Sequence, residues 1–110
     1  MRPIRSPRKK AQAIAEERKH HARWWFLSFA TDYEFLGAAI VRAHGEITAV
    51  ERATEFGINP LTGPAVDPSG AVMFTPLNWR DMKRIPLDLR NRLLTERDVR
   101  ENLDGKSVNE

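Results

Sequence analysis

Apolar positions are concentrated between Arg23 and Pro60, in the stretch RWWFLSFATDYEFLGAAIVRAHGEITAVERATEFGINP. Trp24 to Ala30 is almost wholly apolar and aromatic, the pattern of a strand buried on both faces. Thr31-Asp32-Tyr33-Glu34 interrupts it with turn-compatible residues, and the apolar run resumes from Phe35 to Ala43. This predicts a β-hairpin with strands 24–30 and 35–43. With those four residues as the loop, Trp25 pairs with Ile40, Leu27 with Ala38 and Phe29 with Leu36. The other face then carries Trp24 with Val41, Phe26 with Ala39, and Ser28 with Gly37. A slip of one residue exchanges the faces.

A helix is predicted next, over 48–56. Thr48-x-x-Glu51 reads as a capping box, in which hydroxyl and carboxylate satisfy two orphan backbone N–H groups. Ala49, Val50, Ala53 and Phe56 then form one stripe. Gly57 suits the left-handed residue past a helix end, and Asn59-Pro60 blocks continuation. The small residues Ser28, Gly37 and Ala39 are expected to admit this helix closely.

The flanks are more polar. Met1 to Pro7 reads as extended, with Ser6-Pro7 as a helix entry. Arg8 to Arg23 favours helix, but with a thin apolar stripe of Ala11, Ile14, Ala15 and Ala22. Glu16 with His20 and Glu17 with His21 are i,i+4 pairs along it. Further on, Asp67-Pro68-Ser69-Gly70 fits a type I turn between a short strand at Pro64 to Val66 and a strand over 71–75, with Pro76 marking an edge. Leu77 to Ile85 is unassigned, with Trp79 and Met82 as its buried contacts. Pro86 opens a short helix with Leu87, Leu89, Leu93 and Leu94 turned inward. Thr95-x-x-Asp98 caps a last helix through about Leu103. The expected fold class is therefore α+β: a small antiparallel sheet built on the hairpin, a packed helix, C-terminal helices and an extra N-terminal helix. The expected division is a basic arm over 1–22, one domain over 23–103 and a loose tail over 104–110.

Charge sharpens that division. The 110 residues carry a net +3, but residues 1–23 hold 8 Lys/Arg against 2 Glu and the rest 10 Lys/Arg against 13 Asp/Glu. A basic segment of +6 is joined to a body of −3. Its cations, Arg2, Arg5, Arg8, Lys9, Lys10, Arg18, Lys19 and Arg23, are the candidate partner-binding residues. With so thin an apolar stripe, residues 1–22 are expected to be dispensable for stability. The chain has no cysteine, which removes disulfides, thiolate metal sites and thiol nucleophiles. No apolar run approaches the ~18–20 residues that span a bilayer, so the expectation is a soluble cytoplasmic protein without membrane contact.

Motifs that would carry chemistry are sparse. Gly105-Lys106-Ser107 imitates the end of a phosphate loop, but Arg100 stands where the pattern needs glycine. Glu16, Glu17, His20 and His21 could ligate a metal from one helical face, yet no HExxH pattern accompanies them. Asp32 and Glu34 flank an exposed hairpin tip, where nothing separates their environments as acid–base work requires. No catalytic, cofactor or metal residue is assigned, and no enzyme activity is expected.

The segments WWFLSFA, FLGAAIV, EFGINP and RNRLL resemble a group of small uncharacterised proteins encoded by bacteriophages and their actinobacterial hosts. The resemblance covers about residues 23–60 and 86–94 and its motifs are structural. Leu61-Thr62-Gly63 stands where a glycine pair is expected, and the basic segment lies outside the match. It implies a phage-type accessory protein, with no activity or binding residue attached. The functional expectation is a protein-binding module, an accessory or inhibitor that occupies a host protein. The alternative is a nucleic-acid binder using the basic arm on backbone phosphates. Trp24, Trp25 and Trp79 could stack on bases, but aromatics in an apolar strand belong first to a core. Oligomeric state is left open.

Overall fold

The computed structural model describes residues 7–62 and 67–104. Arg2, Arg5, the strand expected over Pro64 to Val66 and the Gly105-Lys106-Ser107 segment lie outside them. The fold is α+β, as the pattern implied. Strand β1 (Arg23–Ala30) lies between β2 (Phe35–Ala43) and β3 (Ala71–Leu77) in an antiparallel sheet of order β2-β1-β3. The third strand runs two residues past its expected end and includes Pro76, tolerated because β3 is an edge.

The hairpin register is one residue out from expectation. Trp25 faces Val41, Leu27 faces Ala39 and Phe29 faces Gly37, while Ala30 meets Phe35 across the four-residue loop. Leu36 is thus an extra residue on β2, a bulge that shifts everything beyond it. Gly37, at φ +138°, absorbs the distortion. It also lets a later segment close on the strand: a Cβ there would lie 2.7 Å from Leu93 Cδ1 and 3.1 Å from the Leu94 carbonyl. That segment covers the β2 edge. Ala38 N–H donates to Leu94 O at 3.0 Å, Leu94 N–H to Ala38 O at 2.7 Å, and Asn91 N–H to Ile40 O at 2.9 Å.

The slip decides which β2 residues enter which core. Leu27, Phe29, Ala39, Val41 and Ala43 form one buried face, closed by Ala49 and Ala53. Ala38 and Ile40 lie on the other, with Met82, Ile85, Leu89, Leu94 and Val99. The sheet is therefore covered on both sides. Ala39 helps α2 (Glu46–Glu55) approach closely, but on the face of Leu27 and Phe29, not that of Ser28.

Helix α2 starts before Thr48. Its cap is Gly45, and Thr48 sits in the first turn, its hydroxyl accepting from the N–H of Gly45 (3.0 Å) and of His44 (3.1 Å). The capping carboxylate comes from elsewhere in the chain. Glu17, the last residue of α1 (Pro7–Glu17), accepts from Ile47 N–H at 2.7 Å and Thr48 N–H at 2.8 Å. This supplies two of the four orphan donors and places negative charge at the positive end of α2. It also explains why α1 stops at Glu17 instead of reaching Arg23: the chain turns there to enter β1. Helix α1 packs along α2, with Ala13 and Ile14 half-buried and Lys10 paired with Glu51 at 3.1 Å. Among the described residues, the N-terminal segment expected to be dispensable for stability is docked through α1. At the other end, Gly57 takes φ +73° and Ile58 N–H reaches Ala53 O at 2.9 Å, the helix stop the sequence indicated. Phe56, expected on the inner stripe, is exposed.

Beyond β3 the chain forms α3 (Trp79–Arg84), one 3₁₀ turn (Leu87–Leu89), α4 (Glu96–Val99) and a π turn (Arg100–Asp104). Met82 is buried as expected, but Trp79 is 63% exposed. Leu89 and Leu94 point inward, whereas Leu87 (76%) and Leu93 (39%) do not. The expected helix after Pro86 shrinks to a single turn because residues 91–94 pair with β2 instead. The cap at Thr95 is present: its hydroxyl accepts from Asp98 N–H at 3.1 Å, and Asp98 accepts from Thr95 N–H at 3.0 Å.

Two turns meet at the hairpin tip. Thr31 N–H donates to Glu34 O, and Gly70 N–H to Asp67 O, each at 2.9 Å. Ser69 Oγ accepts from Asp32 N–H at 2.9 Å and donates to Asp67 Oδ1 at 2.7 Å. Among the described residues no helix is long and apolar enough to cross a membrane.

Candidate functional site

The N-terminal cations among the described residues run from α1 (Arg8, Lys9, Lys10) through the connection (Arg18, Lys19) to the start of β1 (Arg23). Lys10 is paired with Glu51 and Lys19 with Glu16 (3.0 Å), which displaces the expected Glu16–His20 pair. Arg8, Lys9 and Arg18 are exposed. Arg23 opens β1, its guanidinium 5.9 Å from the Trp25 ring centre.

The histidine and carboxylate candidates are drawn into structure. Glu17 caps α2, so it does not pair with His21, and His44 Nδ1 lies 2.8 Å from His20 O. These residues border an open cleft of about 580 Å³ together with His21 and Trp25. Among the described residues no three His, Asp or Glu are grouped to hold a metal ion. Asp32 and Glu34 stay exposed at the hairpin tip, bound into its turn through their backbone.

A different set of residues converges around Trp24. On one side is a groove of about 400 Å³, lined by Arg23, Trp24, Trp79, Lys83 and Arg90 over Leu77, Asn78 and Met82. On the other is a groove of about 350 Å³, lined by Trp24, Arg42, His44, Arg52, Phe56 and Asn91 with Ala22 and Ala43. Trp24 belongs to both, so the two adjoin. Together their linings hold five Lys/Arg, two indoles, a phenyl ring and no carboxylate.

Each wall has a local cause. Met82 is buried and anchors α3, while Asn78 and Asp81 cap it reciprocally: Asn78 Oδ1 accepts from Asp81 N–H at 2.9 Å, and Asp81 Oδ2 from Asn78 N–H at 3.0 Å. That fixes Trp79 on the outer side of the helix. The Arg80 guanidinium and the Lys83 ammonium lie 5.4 and 4.9 Å from its ring centre, within cation–π range. Arg90 lies 5.0 Å from the Trp24 ring centre and donates through Nη2 to Met82 O at 3.3 Å. Its Nε is buried without a partner. Among the described residues Arg23, Arg42, Lys83 and Arg90 form no ion pair, and Arg52 reaches Glu55 only at 4.0 Å.

The sequence reading missed this face. Its cations come from β1, β2, α2, α3 and the segment after the 3₁₀ turn, and the body's net negative charge hides them. One local signal was available: in WRDMKR, Lys83 follows Trp79 by four residues, which places both on one side of a helix. Comparison of the chain with protein-family models, curated proteins and solved structures finds no match.

Proposed function

We propose that this chain is a non-catalytic binding module whose ligand is nucleic acid, held through its phosphates along the grooves on either side of Trp24. The observation that carries this reading is their lining: five Lys/Arg and no carboxylate. Net charge on the body favours a protein partner, but a bound ligand responds to the local field. At physiological salt the Debye length is about 8 Å, so carboxylates elsewhere on the surface are largely screened from it. Cations without an ion pair gain most from a polyanion, because each phosphate neutralised releases condensed counterions.

A second reading, the accessory protein that occupies a host protein, is favoured by one observation: Met73 and Leu87 are exposed apolar side chains that nucleic acid would not cover. Salt dependence separates the two. Fluorescence anisotropy with a labelled oligonucleotide should give affinity that falls with salt at a log–log slope of about −3, as four or five neutralised phosphates require. The double substitution Arg42→Gln, Lys83→Gln should flatten that slope. Absence of oligonucleotide binding at about 50 mM salt contradicts the proposal and leaves the protein reading.

A further inference from the structure

We infer that the nucleic acid taken by this face is a single strand, and that Trp79 is the platform on which one of its bases stacks. The inference rests on the reading just given and names the ligand form. Its starting point is an indole left 63% exposed on a helix that is otherwise firmly held. Buried Met82 and the reciprocal Asn78–Asp81 cap fix α3, so Trp79 is presented without a large ordering cost. An exposed π-face can meet a base only if that base is unstacked. In a duplex the bases are stacked on each other and paired, and a protein outside meets phosphate and groove edges. In a single strand the bases splay, and aromatic side chains accept them with little regard to sequence.

The surroundings fit the same ligand. The two grooves, of about 400 and 350 Å³, are shallow and open and adjoin at Trp24. A flexible single strand can follow such a path from one to the other. Arg80 and Lys83 lie against Trp79 and are exposed, so either can move from the ring to a phosphate beside a stacked base. Trp24 plays another part. It is half-buried beneath Arg90 and holds that guanidinium toward the groove, which makes Arg90 a phosphate ligand and Trp24 its positioning residue. Beyond the cation–π contact and one carbonyl contact at 3.3 Å through Nη2, Arg90 has no carboxylate partner among the described residues, so its groove-lining guanidinium can take a phosphate. Base stacking on Trp79 and contacts to phosphate do not depend on the sugar, so strands of either sugar should bind alike.

The test compares labelled oligothymidylate and oligouridylate of about 12 nucleotides with a duplex of equal length at about 150 mM salt, with heparin as a polyanion lacking bases. Both single strands should bind at least about tenfold more tightly than the duplex or heparin. Trp79→Ala should weaken single-strand binding about 5- to 100-fold and leave duplex and heparin binding unchanged, while Trp79→Phe retains most of the affinity. Because Trp79 is exposed, both variants should keep the wild-type circular dichroism spectrum. Lys83→Gln should weaken binding of all four ligands and reduce the salt slope. Equal binding of duplex and single strand, or no effect of Trp79→Ala, overturns the single-strand inference while the polyanion reading stands. Failure of every polyanion to bind overturns both.

Discussion

The carboxylate of Glu17 and the first turn of α2 at Thr48 are joined twice: the Thr48 N–H donates to Glu17 Oε1 at 2.8 Å and the Thr48 hydroxyl donates to the same oxygen at 2.9 Å. Residues 31 apart in sequence thus share one helix cap. Glu17→Ala should destabilise the protein by about 0.5–2 kcal/mol, the usual cost of a lost cap. Amide exchange at Ile47 and Thr48 should accelerate in the same variant. Removing residues 1–22 should likewise lower the denaturation midpoint, the reverse of what the thin apolar stripe suggested.

Gly45 tests that cap from the other side. A Cβ on Gly45 would lie 2.5 Å from Glu17 Cδ, so Gly45→Ala should displace the carboxylate and reproduce the loss seen in Glu17→Ala. The two substitutions together should cost little more than either alone, since both remove one interaction. Additive losses in urea titrations would mean that the two positions act independently, so that Gly45→Ala does not act through the Glu17 carboxylate.

Two glycines at positive φ should differ in what they tolerate. Gly57→Ala, with open space around it, should cost about 1 kcal/mol for the left-handed backbone alone. Gly37→Ala meets both φ +138° and the Leu93–Leu94 segment, and should cost about 2–4 kcal/mol. Similar losses at the two positions, measured by urea denaturation, would show that the segment over β2 yields freely.

Much of this architecture was legible because it is local. The hairpin strands, the stop at Gly57, the turn at Asp67 to Gly70 and the Thr95–Asp98 cap depend on residues within a few positions of each other. What escaped depends on distant partners. The bulge at Leu36 is stabilised by a segment near residue 94, so four turn residues alone could not give the register. Thr48 looks like a cap only until Glu17 is known to supply the carboxylate. Trp79 reads as a core residue because aromatics usually are, and only the burial of Met82 on the same short helix turns it outward. The basic face is the extreme case, assembled from separated segments and concealed by the net negative charge of residues 24–110.

Acid should loosen both clamped turns. The Asp98 carboxyl is held below its ordinary range chiefly by the N–H of Thr95, and that of Asp67 chiefly by the Ser69 hydroxyl. A folded pKa below the unfolded one means stabilisation that is fully present above about pH 4 and lost as pH falls through the lower folded value. The double variant Asp67→Ala, Asp98→Ala should therefore be less stable at neutral pH and lose less of its stability on acidification. Parallel acid titrations of the two proteins would contradict this.

The three indoles offer the most direct measurement of the binding account. Trp24 and Trp79 line the basic grooves, whereas Trp25 points to the opposite face and donates its Nε1–H to Ala43 O at 3.2 Å. In a ¹H–¹⁵N spectrum each gives one indole signal. Titration with unlabelled single-stranded oligonucleotide should move the signals of Trp79 and Trp24, together with the Nε–H of Arg90, and leave that of Trp25 in place. If the indole and Arg90 signals stay fixed while amides of α1 move, the ligand sits on the N-terminal helix and the Trp24 face is not the site.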